Sequence, residues 1–298
     1  MSSSPKIRST MSSLFLPRTR GFICSYKSRY HRPLSNLGTT DNASALNASP
    51  DPRYVNLRHA PSGFDITSAV VYPTFLTEQE GKSIIKEVGQ RMKRRPFENG
   101  HWDSVITGYR EVELPDEPLT PWQSIVPKNC AVQSIIQKTR RHLEKNMIVE
   151  PNGKSVHDRS PENVTWLPCH AIDLSAQGEL SAHVDSVKFS GDIVAGLSLL
   201  SNAIMRLRPS SLEWMNAEED KVLHCSENEH NGFVDLYLPQ LSLYVLSGMS
   251  RYHYTHELLP SKSAFEFVDT QGNTVFGESI DVIRGRRISI IFRDRKRS

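Results

Sequence analysis

The sequence predicts an α+β chain, mainly β, in which helices support an antiparallel sandwich or barrel. Three observations carry this. Residues 78–94 and 130–146 repeat apolar side chains at helical spacing. After residue 163 the period changes, and short β-rich runs follow one another between turn residues without intervening helices. The 298 residues, 38% apolar and 23% charged, suit one large domain or two modest ones with a real core. No run approaches the roughly 18 apolar residues of a membrane helix, so no membrane span is expected. Cys24, Cys130, Cys169 and Cys225 lie far apart with no CxxC pair. This excludes a thiolate zinc cage and a small disulfide scaffold, and fits a reducing compartment.

The elements follow in order. Residues 1–50 hold seven bases (Lys6, Arg8, Arg18, Arg20, Lys27, Arg29, Arg32) against one acid, Asp41, amid abundant serine. That is the composition of a mitochondrial transit peptide, placed at 1–45, and it points to the mitochondrial matrix. The whole chain carries a formal +3, but 29 basic and 32 acidic residues remain beyond residue 50. The basic excess is an address and does not argue for a polyanionic partner. Residues 41–53 read as linker. Within a helical scaffold over 46–162, VVY (70–72) is a short strand stopped by Pro73. Thr77 and Glu80 form a capping box. Ile84, Ile85, Val88 and Met92 mark the first helix, closed by Lys93, Arg94 and Arg95. Val132, Ile135, Ile136 and Leu143 mark the second helix, and 150–162 is a loop. The β-domain spans 163–298. Its strand runs are VTWLPCHAIDL, HVDSVKF, IVAGLSLL, AIMRLRP, FVDLYL, LSLYVLSG and RRISIIFR. An acidic stretch, 209–232, is expected as an exposed loop.

Chemistry concentrates in three of these runs. In HVDS (183–186), His183 and Asp185 lie two apart and would share one face of a strand, about 6.6–7 Å apart, so both can reach one ion. RYHYTHEL (251–258) offers a second histidine, His253 or His256. These lie three apart, so only one can point inward from a strand. Two His and one carboxylate make the facial triad of non-haem Fe(II) oxygenases, which leaves positions open. In RRISIIFR, one face carries Ile288, Ile290 and Phe292. The other carries Arg287, Ser289, Ile291 and Arg293. Arginine matches a carboxylate bidentately, and a serine hydroxyl adds a donor. Arg287 and Arg293 are roughly 20 Å of strand apart and could serve opposite ends of a diacid site.

His-x-Asp, a distal His and Arg-x-Ser on a late strand resemble the Fe(II)/2-oxoglutarate dioxygenases. HVDSVKFSGDIVAGLSLLSNAIMRL, LSLYVLSGMSRYHYTHELL and RGRRISIIFR resemble the AlkB family within them, and its mitochondrial branch most. The likeness is detailed over about 164–207 and 236–293 and looser over 70–115. It implies a double-stranded β-helix, or jelly roll, on N-terminal helices. It implies Fe(II) held by His183, Asp185 and His256, with 2-oxoglutarate and O2 as cosubstrates and succinate and CO2 released. Arg287 would meet the far carboxylate of 2-oxoglutarate beside Ser289, Arg293 would lie toward the near carboxylate, and Tyr244 and His170 would help hold the cosubstrate.

Relatives that repair nucleic acid usually carry an Asn and an aromatic on the strand before the iron motif, and lid segments that grip a flipped base. Here Ile172 and Leu174 stand where that pair is sought, and no basic, aromatic-rich lid precedes them. Duplex DNA is therefore not an expected partner. A protein or structured RNA is the expected target, hydroxylated or demethylated by a monomer. The alternative from another class is a non-enzymatic jelly-roll interaction module that retains a metal for folding. A zinc hydrolase would need a general base, and the Arg287/Ser289 pair argues against it.

Overall fold

A computed structural model describes residues 48–100, 105–114, 131–147, 164–210, 232–269 and 274–296. The chain divides into two compact units, 1–41 and 42–298, and every described residue belongs to the second. The expected leader, the loop 150–162, all of the acidic stretch except residues 209, 210 and 232, and Cys24, Cys130 and Cys225 lie outside the described residues.

Strand β1 (Val55–Asn56) is followed by β2 (Ala69–Tyr72), which stops before Pro73, a residue with no N–H for a ladder. Thr77 then caps α1 (Glu78–Met92). Its hydroxyl accepts from the Glu80 N–H at 3.2 Å, and the Glu80 carboxylate accepts from the Thr77 N–H at 2.8 Å. Gly81, Ile84, Val88 and Met92 form the buried stripe of α1. Next come β3 (Ile106–Leu114) and α2 (Ala131–Met147), whose buried side includes Val132, Ile135, Ile136 and Leu143. Lys138 joins the two helices by pairing with Glu80 at 2.7 Å.

The remainder is strand: β4 (Cys169–Leu180), β5 (Ser190–Leu199), β6 (Ala203–Pro209), β7 (Val234–Leu238) and β8 (Ser242–Ser247). A short helix, α3 (Gly248–Tyr252), leads into β9 (Tyr254–Leu258). The last strands are β10 (Ser263–Val268), β11 (Thr274–Val282) and β12 (Arg287–Arg295). One sheet has the order β2-β8-β5-β12-β4-β3, another β1-β7-β6-β9, and β10-β11 form a separate hairpin. All pairings are antiparallel. From β4 the chain passes to a bridge beside β9 at His183, back to β5, across to β6 and β7, back to β8, across to β9 and back to β12. That alternation between two facing sheets is a jelly roll.

Each strand of the larger sheet separates two cores by the parity of its side chains. Ile288, Ile290 and Phe292 of β12, with Leu243 and Val245 of β8, pack toward α1 and α2. Tyr244, Leu246 and Leu174 face the smaller sheet and meet Met205, Leu207, Tyr254 and Leu258. The helices thus cover one face of the larger sheet, and the smaller sheet covers the other.

Two expectations are corrected. HVDSVKF is not a regular strand: His183 makes one isolated bridge, and the chain turns over 187–189 before β5. His253 is not in a strand either. It is the C-cap of α3, with φ −116° and ψ 4°, so strand parity does not govern it. Among the described residues of 46–162, β1, β2 and β3 accompany α1 and α2, and ITGYREVEL forms β3 at one edge of the larger sheet.

Candidate metal centre

His183 and His256 stand side by side because their main chains pair reciprocally. The His183 N–H donates to the His256 carbonyl at 3.2 Å, and the His256 N–H donates to the His183 carbonyl at 2.8 Å. Parity on β9 directs His256 inward, since Tyr254 and Leu258 of the same strand lie in the core between the sheets. The ring centroids are 4.2 Å apart. The Nδ1–H of His183 donates to the Ser181 carbonyl at 2.8 Å, and since a carbonyl can only accept, Nε2 is left with its lone pair facing the site. Asp185 Oδ1 lies 3.5 Å from His183 Nε2 and 3.9 Å from His256 Nε2. One ligand atom from each of the three falls within 4.8 Å of the others. His253 is not part of this group.

The electrostatics suit a cation. Burial alone would raise the Asp185 carboxyl, but the neighbouring His183 side chain and the Arg293 guanidinium outweigh it and hold it well below the usual carboxylate range. Burial, with the neighbouring His183, pushes His256 down to about 3, so its imidazole is neutral and free to ligate.

Arg287 lies on the same inner face. Adjacent arginines part company here: Arg286 reaches the fully buried Asp173, at 2.7 and 2.8 Å, whereas Arg287 turns inward. Arg287 is 4% exposed, its Nε donates to Ser198 Oγ at 3.3 Å, and Nη1 donates to Ser289 Oγ. Its Nη2 is buried with no hydrogen-bond partner. Leaving such a donor unmet is costly, and a carboxylate is the group that matches it. Tyr244 lies against Gly196, where a Cβ would come within 2.5 Å of its ring. Burial pushes the phenol up to about 12, although the nearby Arg287 guanidinium opposes this. Arg293 reaches the metal group directly, with Nη1 3.9 Å from Asp185 Oδ2.

His170 is less closely tied to the centre. It stands opposite Ile291, which stands opposite Gly196 and thence Tyr244, so it shares their cross-strand row. Its ring also approaches Glu111 at 3.8 Å and Glu113 at 3.9 Å. Residue reasoning missed Ser198, which braces Arg287, and Arg251, a buried cation bonded to the loop after Asp185. The only available signal was an arginine within the run already singled out for its histidines.

No protein-family profile matches the chain. Over 228 residues it is 34% identical to the alpha-ketoglutarate-dependent dioxygenase alkB homolog 7, mitochondrial, of Mus musculus, covering 76% of this chain and 77% of that one. The protein of the same description from Bos taurus is 31% identical over 226 residues, covering 76% and 78%. Among solved structures, a Trichoplax adhaerens prolyl hydroxylase in complex with a hypoxia inducible factor oxygen degradation domain peptide fragment superposes with a TM-score of 0.46 at 10% identity, covering 76% and 83%. OsALKBH1 superposes with a TM-score of 0.40 at 15% identity, covering 76% and 97%.

Proposed function

Since this chain belongs to the AlkB family of alpha-ketoglutarate-dependent dioxygenases, using Fe(II), 2-oxoglutarate and O2, we propose that His183, Asp185 and His256 hold its iron. The observation that carries this is the convergence of their ligand atoms within 4.8 Å. Three protein ligands suit Fe(II) and leave positions for cosubstrate and O2. When bound, Fe(II) and 2-oxoglutarate supply the oxidising chemistry toward O2, with succinate and CO2 released. The protein contributes geometry and a dry pocket. Arg287 holds the far carboxylate with its unpartnered Nη2, Ser289 and Ser198 brace that guanidinium, and Tyr244 bounds the same end. Arg293, beside Asp185, faces the near carboxylate. His170 supports the wall of the pocket from its place in the Tyr244 row.

For the target we propose a protein or structured RNA of the mitochondrial matrix, hydroxylated or demethylated by the monomer. Ile172 and Leu174 on the inner face of β4 support this, because aliphatic side chains offer a flipped base neither a hydrogen bond nor a ring to stack on. The relatives' names and the basic, serine-rich leader support the compartment.

One experiment addresses both. Purified protein is supplied with Fe(II), ascorbate, labelled 2-oxoglutarate and a mitochondrial extract treated with either ribonuclease or protease. Turnover is expected in the wild type and lost at least hundredfold in His183→Ala/Asp185→Ala. Equal turnover by the double variant would sink the ligand assignment, and no turnover by either would favour the non-enzymatic module. Stimulation by extract that survives ribonuclease but not protease identifies a protein target, and the reverse identifies RNA.

A further inference from the structure

Arg251 is 2% exposed and lies in α3, five residues before His256. A buried guanidinium ordinarily takes a carboxylate. Here its hydrogen bonds go to three main-chain carbonyls, two in the loop after His183 and one at the start of β5. Nη1 donates to the Asp185 carbonyl at 3.0 Å, Nη2 to the Ser186 carbonyl at 3.0 Å, and Nε to the Gly191 carbonyl at 3.2 Å. One rigid planar group therefore holds both ends of the loop that follows His183. Residues 184–186 have no strand pairing of their own, so this loop needs such a hold. The far end is also tied down: the Asp294 carboxylate accepts from the Asp192 and Ile193 N–H groups at 3.2 and 2.8 Å.

We propose that Arg251 is a positioning residue of the metal centre, which clamps the main chain of Asp185 and so fixes the direction of its carboxylate toward His183 and His256. The clamp rests on the ligand assignment above. Its logic is geometric, since a positive charge near the three ligands repels a metal ion. Charge and clamp therefore predict opposite results when the charge is removed. If Arg251 mattered only through its field, Arg251→Gln would bind metal more tightly. A clamp predicts weaker binding, by the ten- to hundredfold typical of groups that orient metal ligands.

The test is Mn(II) affinity of the full chain, read by electron paramagnetic resonance of free Mn(II), together with the rate of tryptic cleavage after the exposed Lys188. Arg251→Gln is expected to weaken Mn(II) binding ten- to hundredfold. Arg251→Lys, a point donor unable to span three carbonyls, should give an intermediate loss and faster cleavage at Lys188. Affinity equal to or above wild type in Arg251→Gln overturns the proposal. If that variant does not fold, wild-type affinity and wild-type cleavage in Arg251→Lys overturn it. Asp185→Ala separates the two readings. Retained affinity there overturns the ligand assignment, while lost affinity there with an unaffected Arg251→Gln overturns the clamp alone.

Discussion

His142 shows what burial does to a single side chain. It lies on the core side of α2, edge-on to Tyr72 at 4.6 Å and to Phe75 at 5.0 Å, and its Nε2 is buried without a partner. Burial, with the nearby Lys138 and Lys145 charges, pushes it from 6.5 down to about 4. A histidine depressed on folding binds its proton more readily when unfolded. The stability this neutral ring contributes is therefore complete above about pH 6.5 and lost as pH falls toward 4, with a slope of up to about 1.4 kcal/mol per pH unit. Urea unfolding between pH 7 and pH 4 should show a shallower loss in His142→Phe than in the wild type, and parallel curves would refute the assignment. Other residues were only partly legible. The Arg287/Ser289 face and His256 stood out by spacing and resemblance. Arg251 did not, because its partners are main-chain carbonyls far along the chain, which carry no residue signature.

At the level of elements, local rules sufficed wherever one neighbour decided the outcome. The α1 capping box needs only Thr77 and Glu80, and it formed as expected. Thr77→Ala should cost about 1 kcal/mol of unfolding free energy, measured by urea titration, with the KM for 2-oxoglutarate unchanged. A larger cost would mean that the Glu80–Lys138 pair between the helices also depends on the cap. Alternation on β12 likewise needed no tertiary knowledge, since one run of eight residues holds both an aliphatic face and a cationic one. β3 was harder to read. Gly108 breaks its period, sitting at φ 61° where a Cβ would come within 2.9 Å of Gly178 on β4. The short α3 gave no strong periodic signal, being five residues long.

The whole molecule brings together what the strands keep apart. The proposed iron ligands come from β9, at the edge of the smaller sheet, and from the segment bridged to it at His183, whereas Arg287, Ser289, Arg293 and Tyr244 come from the larger sheet. Metal and cosubstrate should therefore lock the two sheets to each other. Mn(II) with 2-oxoglutarate at about a hundredfold over their dissociation constants should stabilise the fold by at least about 2.7 kcal/mol in thermal or chemical unfolding. Asp185→Ala should abolish that gain while still folding, and an equal gain in the variant would place the ions elsewhere.

The sequence by itself determined which side chains could share a face, because periods of two and of about three and a half are properties of the backbone. It thereby settled the helical stripes, the inward row of β12 and the residue types able to hold iron and a diacid. Only the tertiary structure decided which of the two histidines meets Asp185. It also decided that HVDSVKF forms a clamped loop and that Arg286 and Arg287 turn to opposite sides of the sheet. Those outcomes depend on contacts between residues tens of positions apart, whose energies exist only once the two sheets have closed on one another.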